Sequence, residues 1–290
     1  MTETDDSQTS DVPGWDWTSS TEDAAVRVDL QPDRPHSARM YDYYLGGKDN
    51  FPADREAAQQ ALAEFPHGRT TAGQNRAFMH RAIRYLAGEV GIRQFLDIGT
   101  GIPTSPNLHE VAQQIAPDAR VVYADNDPIV LMHARALLTG TSAGRTAYLD
   151  ADLRDVEEIL TSAELRETID LTQPVAVSLV AILHFFPDAD DPYGVVQRLL
   201  DALPSGSHVV ISHVTGDYAP ETWTRLIETY RGRGIPAQAR SHGEIARLFE
   251  GLDLVEPGIQ VAHRWRPDAA VPAGLTDAEV SVYGGVGRKK

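Results

Sequence analysis

The sequence predicts an α/β fold: a mostly parallel sheet with an antiparallel last strand, preceded by a helical extension. Three observations carry this expectation. From residue 93 onward, short apolar runs alternate with helical stretches, the pattern of a parallel sheet covered on both faces. Phe95-Leu96-Asp97-Ile98-Gly99-Thr100-Gly101 joins one apolar run to a glycine turn, and Val121-Val122-Tyr123-Ala124-Asp125 is a second run ending in a carboxylate. Together they describe a strand, turn, helix and strand enclosing a nucleotide-shaped crevice. Near the end, apolar runs follow one another without an intervening helix, which predicts an antiparallel hairpin closing the sheet.

A chain of 290 residues with 42% hydrophobic content accommodates one large α/β domain with appendages or two small ones. It has no cysteine, so disulfides, thiolate metal sites and thiol nucleophiles are excluded together. No run approaches a membrane span, and no basic, apolar leader follows Met1. A cytoplasmic location is the expectation. The net charge of -16 argues against nucleic acid as a partner, because binding a phosphate backbone relies on Lys and Arg. Eight of the 42 acids fall within residues 1–30, against the single base Arg27.

In order, residues 1–30 read as a disordered acidic tail, in which Trp15 and Trp17 either dock on the body or are stray aromatics. Residues 31–90 form a helical segment: Ala57–Ala63 is a strong helix former, and Asn75–Ala87 places Phe78, Met79, Ala82, Ile83 and Leu86 at helical spacing. Residues 91–290 form the main domain. Strands are expected at Gln94–Ile98, Arg120–Ala124, Arg145–Leu149, Val175–Val180, Ser207–His213, Leu252–Glu256, Gly258–Val261 and Val280–Gly287. Helices are expected at Leu108–Ile115, Pro128–Leu138, Val156–Leu165 and Gly194–Leu203.

The strand ends carry the chemistry. In Asp97-Ile98-Gly99-Thr100-Gly101 the glycines permit a sharp turn and a close backbone approach to a ligand. A dinucleotide site needs a third glycine, which is absent. Asp97 suits a cation, such as the amino group of an amino-acid moiety, better than a pyrophosphate. Asp125 can accept both hydroxyls of a ribose, with Asn126 beside an adenine face. Asp127-Pro128 reads as a helix cap followed by proline at the first helical position. Asp152 can accept from an adenine amine, although Asp150 and Asp155 compete for that role. His184, after the fourth strand, is either a base or substrate hydrogen bonder or a packed helix-start histidine.

These motifs, with Leu183-His184-Phe185 and Leu203-Pro204-Ser205-Gly206-Ser207-His208-Val209-Val210, resemble in order the class I S-adenosylmethionine (SAM) dependent methyltransferases over residues 93–288. Ser37-Ala38-Arg39-Met40-Tyr41-Asp42-Tyr43-Tyr44-Leu45-Gly46-Gly47-Lys48-Asp49-Asn50-Phe51 is similar to a narrower family of S-adenosyl methyltransferases whose substrates are mostly unassigned. Two departures occur: Pro103 replaces the small third residue of the turn, and Pro204-Ser205-Gly206 stands where Pro-Gly-Gly is common. The resemblance implies a Rossmann-like seven-stranded sheet with the last strand antiparallel. It also implies that Asp97, Gly99 and Gly101 hold the methionine part, Asp125 the ribose, and Asp152 with Leu153 the adenine, with Thr100 and Asn126 also among the cofactor-binding residues.

Residues 31–90 read as a lid with Tyr41, Tyr44, Asp49 and Asn50 reaching inward, or as a structural cover. Gly46-Gly47-Lys48 is not a phosphate loop, since Asp49 replaces the Ser or Thr and no strand precedes it. The histidines show no metal-ligand spacing, so no metal is expected. His213, at a strand end, joins His184 and Asp49 as a candidate catalytic group. The expected activity is methyl transfer to O or N of a small or medium-sized molecule. Rival readings are a non-catalytic SAM-binding regulator, a nicotinamide oxidoreductase and a nucleic-acid methyltransferase. The last is weakened by the absence of an Asn/Asp-Pro-Pro-Tyr/Phe sequence after the fourth strand.

Overall fold

The structure, a computed structural model, describes residues 30–137, 140–268 and 271–290, with no account of side chains over 134–137. The expectation of a disordered tail, and the question of Trp15 and Trp17, therefore fall outside the described residues, Leu30 excepted.

Eight strands form one sheet: β1 (Gln94–Ile98), β2 (Arg120–Asp125), β3 (Arg145–Asp150), β4 (Ala176–Val180), β5 (His208–Val214), β6 (Leu252–Leu254), β7 (Gln260–Val261) and β8 (Val282–Lys289). The order is β3-β2-β1-β4-β5-β8-β6, with β7 also on β8. Strands β1 to β5 are parallel and β8 is antiparallel to β5, the mostly parallel sheet that the sequence predicts. Val121, Val122, Val209, Val210 and Ile211 are all fully buried, which is why these strands read as continuous apolar runs.

The end of the sheet departs in detail from the predicted hairpin. Strands β6 and β7 do not pair with each other; both pair antiparallel with β8, at Leu254↔Gly287 and Gln260↔Gly284 respectively. They run in the same direction along one edge of β8 and act as a single interrupted strand. Eight strands thus occupy seven lateral positions. The interruption lies at Glu256-Pro257-Gly258, where proline has no N–H for the ladder and Gly258 turns back to hydrogen-bond Val255.

The helical extension comprises α1 (Ser37–Tyr44), α2 (Pro52–Glu64) and α3 (Gly68–Tyr85). The second half of α3 belongs to the main core: Phe78, Ala82 and Ile83 have no exposure, and Phe78 meets Trp265 edge-on at 5.4 Å between centroids. Between the strands come α4 (Leu108–Ile115), α5 (Pro128–Leu137), α6 (Val156–Thr161), α7 (Ala163–Thr168) and α8 (Pro192–Asp201). The helix expected over Val156–Leu165 is broken at Ser162, whose extended backbone and hydroxyl cap α7 by accepting from the Leu165 N–H.

Two helices not anticipated from the sequence, α9 (Pro220–Gly232) and α10 (His242–Arg247), follow β5, and the short α11 (Asp277–Val280) precedes β8. Trp223 and Leu226 of α9 pack with Met40 of α1 and Ala57, Ala58 and Ala61 of α2 in a second apolar cluster. That cluster seats α1 above the carboxyl ends of the parallel strands.

Candidate functional site

The strand order reverses direction between β1 and β4, and ligands in open α/β sheets bind outside the carboxyl ends at such a point. A cleft of about 290 Å³ lies there, lined by Asp97, Gly99, Thr100, Gly101, Asp125, Asn126, Asp152 and Leu153 from the sheet side. All eight residues expected to form the cofactor side thus line one cavity.

Its floor is the glycine turn. Gly99 has φ +73 and hydrogen-bonds through its N–H to the Ala124 carbonyl at 2.8 Å; Gly101 has φ +67. A Cβ at Gly99 would fall 2.7–2.9 Å from atoms of the Ile182 side chain, whereas one at Gly101 would meet open space. Gly99 is therefore fixed both by its backbone angle and by packing. Gly99→Ala is expected to cost about 1–3 kcal/mol of folding stability, read by urea unfolding. An unchanged midpoint would mean that Ile182 yields freely.

The acids differ in their surroundings. Asp97 lies opposite Ser178 in the sheet. Burial raises its carboxyl to about 6, against the opposing pull of Ser178 and Arg76. Burial also raises Asp125, although the N–H groups of Asp127 and Gly101 favour its charged form. Each Asp125 oxygen accepts one of those bonds, Oδ1 from Asp127 at 2.9 Å and Oδ2 from Gly101 at 2.8 Å. The carboxylate is held in one orientation, with a lone pair left on each oxygen for a diol.

Asp152 and its two neighbouring acids are placed differently, and of the three Asp152 lines the cleft. Asp155 caps α6 by accepting from the Glu158 N–H, and Asp150 is exposed at the end of β3 outside the cleft lining. Asp152 accepts from Asn126 Nδ2 at 2.8 Å and from the Arg154 N–H at 2.8 Å.

Asp127 caps α5 by accepting from the Ile129 N–H at 2.9 Å. It also meets His36 Nδ1 at 2.8 Å and lies 3.7 Å from Arg39 Nη1. Burial opposes its ionisation, but His36, Ile129 and Arg39 together hold its carboxyl below the usual range. Arg39 is also paired with the buried Asp54 at 3.0 Å. The start of α1 is thereby tied to α5, the helix that follows β2.

From α1 and α3 the cleft receives His36, Ser37, Tyr41, Asn75 and Arg76. Asn75 Nδ2 donates to Tyr41 Oη at 2.9 Å, and Tyr41 donates to the Ala72 carbonyl at 3.0 Å. Asp49 and Asn50 depart from the expectation that both reach into the site, since neither lines this cleft or the cavity beside it. Asn50 Nδ2 is committed to Asp42 at 2.7 Å, and Asp49 is exposed, 3.8 Å from His133. Asn75 and Arg76 were missed in the sequence. Their signal was a polar residue in register with the apolar face, since Asn75, Phe78, Met79 and Ala82 fall at i, i+3, i+4 and i+7.

Beside the cleft is a second cavity of about 90 Å³, lined by Tyr44, Phe65, His184, His213, Trp223, Tyr230 and others. Ser37, Tyr41, Asn75, Ala181 and Phe185 line both cavities. Ala181, just past β4, has φ +58, a strained angle for a residue with a side chain and one that clusters at functional sites. Its N–H donates to Ser212 Oγ at 2.9 Å.

The two histidines of this cavity are not equivalent. His213 uses both ring nitrogens, Nδ1 to the Val214 carbonyl and Nε2 to Arg240 Nη1, each at 2.8 Å. Burial chiefly lowers its pKa to about 3. It is a neutral structural group with no free nitrogen, which removes it as a base. In His184, burial, His213 and Arg240 hold the ring well below the usual histidine range. Its Nδ1 is buried without a partner among the described residues. Arg240, fully buried, gathers this region: it donates to the carbonyls of Leu183 and Phe186 and pairs with Asp188 at 2.6 Å.

A family model described as S-adenosyl methyltransferase matches residues 23–290. The chain belongs to this family. Two crystal structures of high similarity agree. A DUF574 family protein from Streptomyces avermitilis MA-4680 is 52% identical, with a TM-score of 0.89, covering 90% of this chain and 100% of that one. A candidate methyltransferase from Thermobifida fusca YX is 42% identical, with a TM-score of 0.83, covering 90% of this chain and 97% of that one. No match was found among curated proteins. Within this S-adenosyl methyltransferase, no helix of the described residues is long and apolar enough to cross a membrane.

Proposed function

We propose that the protein is a cytoplasmic SAM-dependent methyltransferase acting on O or N of a small molecule, with the strand-end cleft as its SAM site. The observation that carries this reading is Asp125: a buried carboxylate, fixed by two backbone N–H groups, with one acceptor lone pair free on each oxygen. That is the shape of a ribose diol receptor. Asp97 offers a carboxylate for the amino group, the open space over Gly101 admits the methionine chain, and Asp152 with buried Leu153 holds the adenine side.

When bound, SAM supplies an electrophilic methyl carbon on a sulfonium. The work left to the chain is to orient, to exclude water and to hold a proton. Ser37, Tyr41 and Asn75 cover the place where the two cavities meet, and neutral His184 stands on the acceptor side. The covering element is α1 with α2 rather than all of 31–90, because Phe78, Ala82 and Ile83 of α3 are locked in the main core.

Asp125→Ala tests the assignment. Affinity for S-adenosylhomocysteine, measured by calorimetry, is expected to fall by about 1–3 kcal/mol, the cost of an unmatched buried polar group. Unchanged affinity would place the ribose elsewhere.

A further inference from the structure

We infer that the second cavity is the acceptor site, and that it takes a single uncharged aromatic ring whose hydroxyl is the group methylated. The inference rests on the reading of the neighbouring cleft as the SAM site. Because Ser37, Tyr41, Asn75, Ala181 and Phe185 line both cavities, a molecule in the second meets the methyl-donor side of the first.

The walls set the ligand class. Phe65, Trp223, Tyr44 and Tyr230 surround the space, and among the described residues no Asp, Glu, Lys or Arg lines it. Phe65 and Trp223 lie 5.3 Å apart between ring centroids, a spacing suited to aromatic contact. A carboxylate, phosphate or ammonium group entering here would lose water without gaining an ionic partner, which is costly. The hydroxyls of Tyr44 and Tyr230 satisfy each other at 2.8 Å, so they present a polar point without a charge. Size is equally restrictive. The cavity measures about 90 Å³, and an engineered apolar cavity of about 150 Å³ holds one benzene. The space is smaller than that benzene cavity, so it takes at most one ring, part of which extends with the rest of the substrate into the adjoining cleft.

His184 supplies the polar contact. It is 9% exposed, and neither ring nitrogen makes a hydrogen bond among the described residues. Nδ1 is the fully buried one, which leaves Nε2 as the nitrogen accessible from the cavity. As the acceptor oxygen forms its bond to the methyl carbon, the carbon–sulfur bond breaks with its electron pair remaining on sulfur. Neutral His184 Nε2 accepts a hydrogen bond from the hydroxyl and orients it, and the hydroxyl proton is released to water in the cleft.

The test uses 4-fluorophenol, 4-fluorobenzoate and fluorobenzene as fluorine-NMR probes on the full chain saturated with S-adenosylhomocysteine. Calorimetric binding of S-adenosylhomocysteine is measured first, so failure of the cleft reading shows separately as no adenosyl binding. Wild-type protein is expected to bind 4-fluorophenol saturably and about tenfold or more tightly than 4-fluorobenzoate. Ala61→Leu and Ala237→Leu, at two residues that line the second cavity and not the cleft, fill the space and are expected to weaken 4-fluorophenol about tenfold with S-adenosylhomocysteine affinity retained. His184→Phe is expected to abolish the preference for 4-fluorophenol over fluorobenzene. The proposal is overturned by equal binding of benzoate and phenol to wild type, or by no phenol binding in adenosyl-saturated protein. A folded cavity-filling variant that binds 4-fluorophenol like wild type also overturns it. The wild-type comparison stands even if a filled variant fails to fold.

Discussion

Asp97→Asn is expected to make the ligand-free protein more stable at neutral pH and a worse binder of SAM. The reason is the environment at the end of β1. Burial raises the Asp97 carboxyl from its ordinary value to about 6 in the folded chain, so folding favours the neutral acid. Stability from this group is fully present below the unfolded value of about 4. It is lost as pH rises through about 6. Above that pH the wild-type protein carries a charged, poorly solvated carboxylate, at a cost of about 2–3 kcal/mol. Asparagine removes that cost. The gain in stability of the variant over wild type should vanish below about pH 4 and level off above about pH 6, as read by urea unfolding across pH. The same carboxylate is what a substrate ammonium needs. SAM affinity of the wild type should therefore fall as pH drops through about 6, whereas that of the variant should be lower by about tenfold at neutral pH and flat. A variant that is no more stable at pH 7.5, or that binds SAM like wild type, would sink the assignment.

Arg240→Met is expected to be the most damaging substitution in the acceptor half. Arg240 is 1% exposed and bridges the Leu183 and Phe186 carbonyls, His213 Nε2 and the Asp188 carboxylate. Methionine has comparable length but no donors, so two carbonyls and an imidazole nitrogen lose their partner together. The expected loss is about 3–5 kcal/mol, in the range for removing one partner from a buried charged network. Two further signs separate this from generic destabilisation. His213 should titrate above its wild-type value of about 3, because the neighbouring guanidinium that disfavours its protonation is gone. Binding of 4-fluorophenol should weaken more than binding of S-adenosylhomocysteine, because His184, which lies between the two carbonyls that Arg240 holds, lines the second cavity and not the cleft. A melting temperature within a degree or two of wild type would contradict the prediction.

The strand ends were legible because two signals coincide there. Period and composition mark Gln94–Ile98 and Arg120–Asp125 as buried strands, and a carboxylate at the end of an apolar run has few structural uses. Asp97 and Asp125 stand out at strand ends in the local sequence, whereas Asp152 had Asp150 and Asp155 as competitors; all three line the cleft. Other features depend on distant partners. Nothing near His213 announces that Arg240, 27 residues later, takes its Nε2. Likewise Asn50 resembles a binding residue until Asp42 is seen to occupy its amide. The missed helix α9 was readable: Trp223, Leu226, Ile227 and Tyr230 follow Pro220 at i, i+3, i+4 and i+7. The split of the edge strand into β6 and β7 was half legible. Pro257-Gly258 marks an interruption, but only pairing with β8 shows that the chain resumes the same edge.

Helix α1 contributes Ser37 and Tyr41 to both cavities, and His36 anchors its start to Asp127 at the start of α5. One short helix therefore walls two compartments at once, so whatever shifts the packing of α1 on α2 and α9 alters the cleft and the second cavity together.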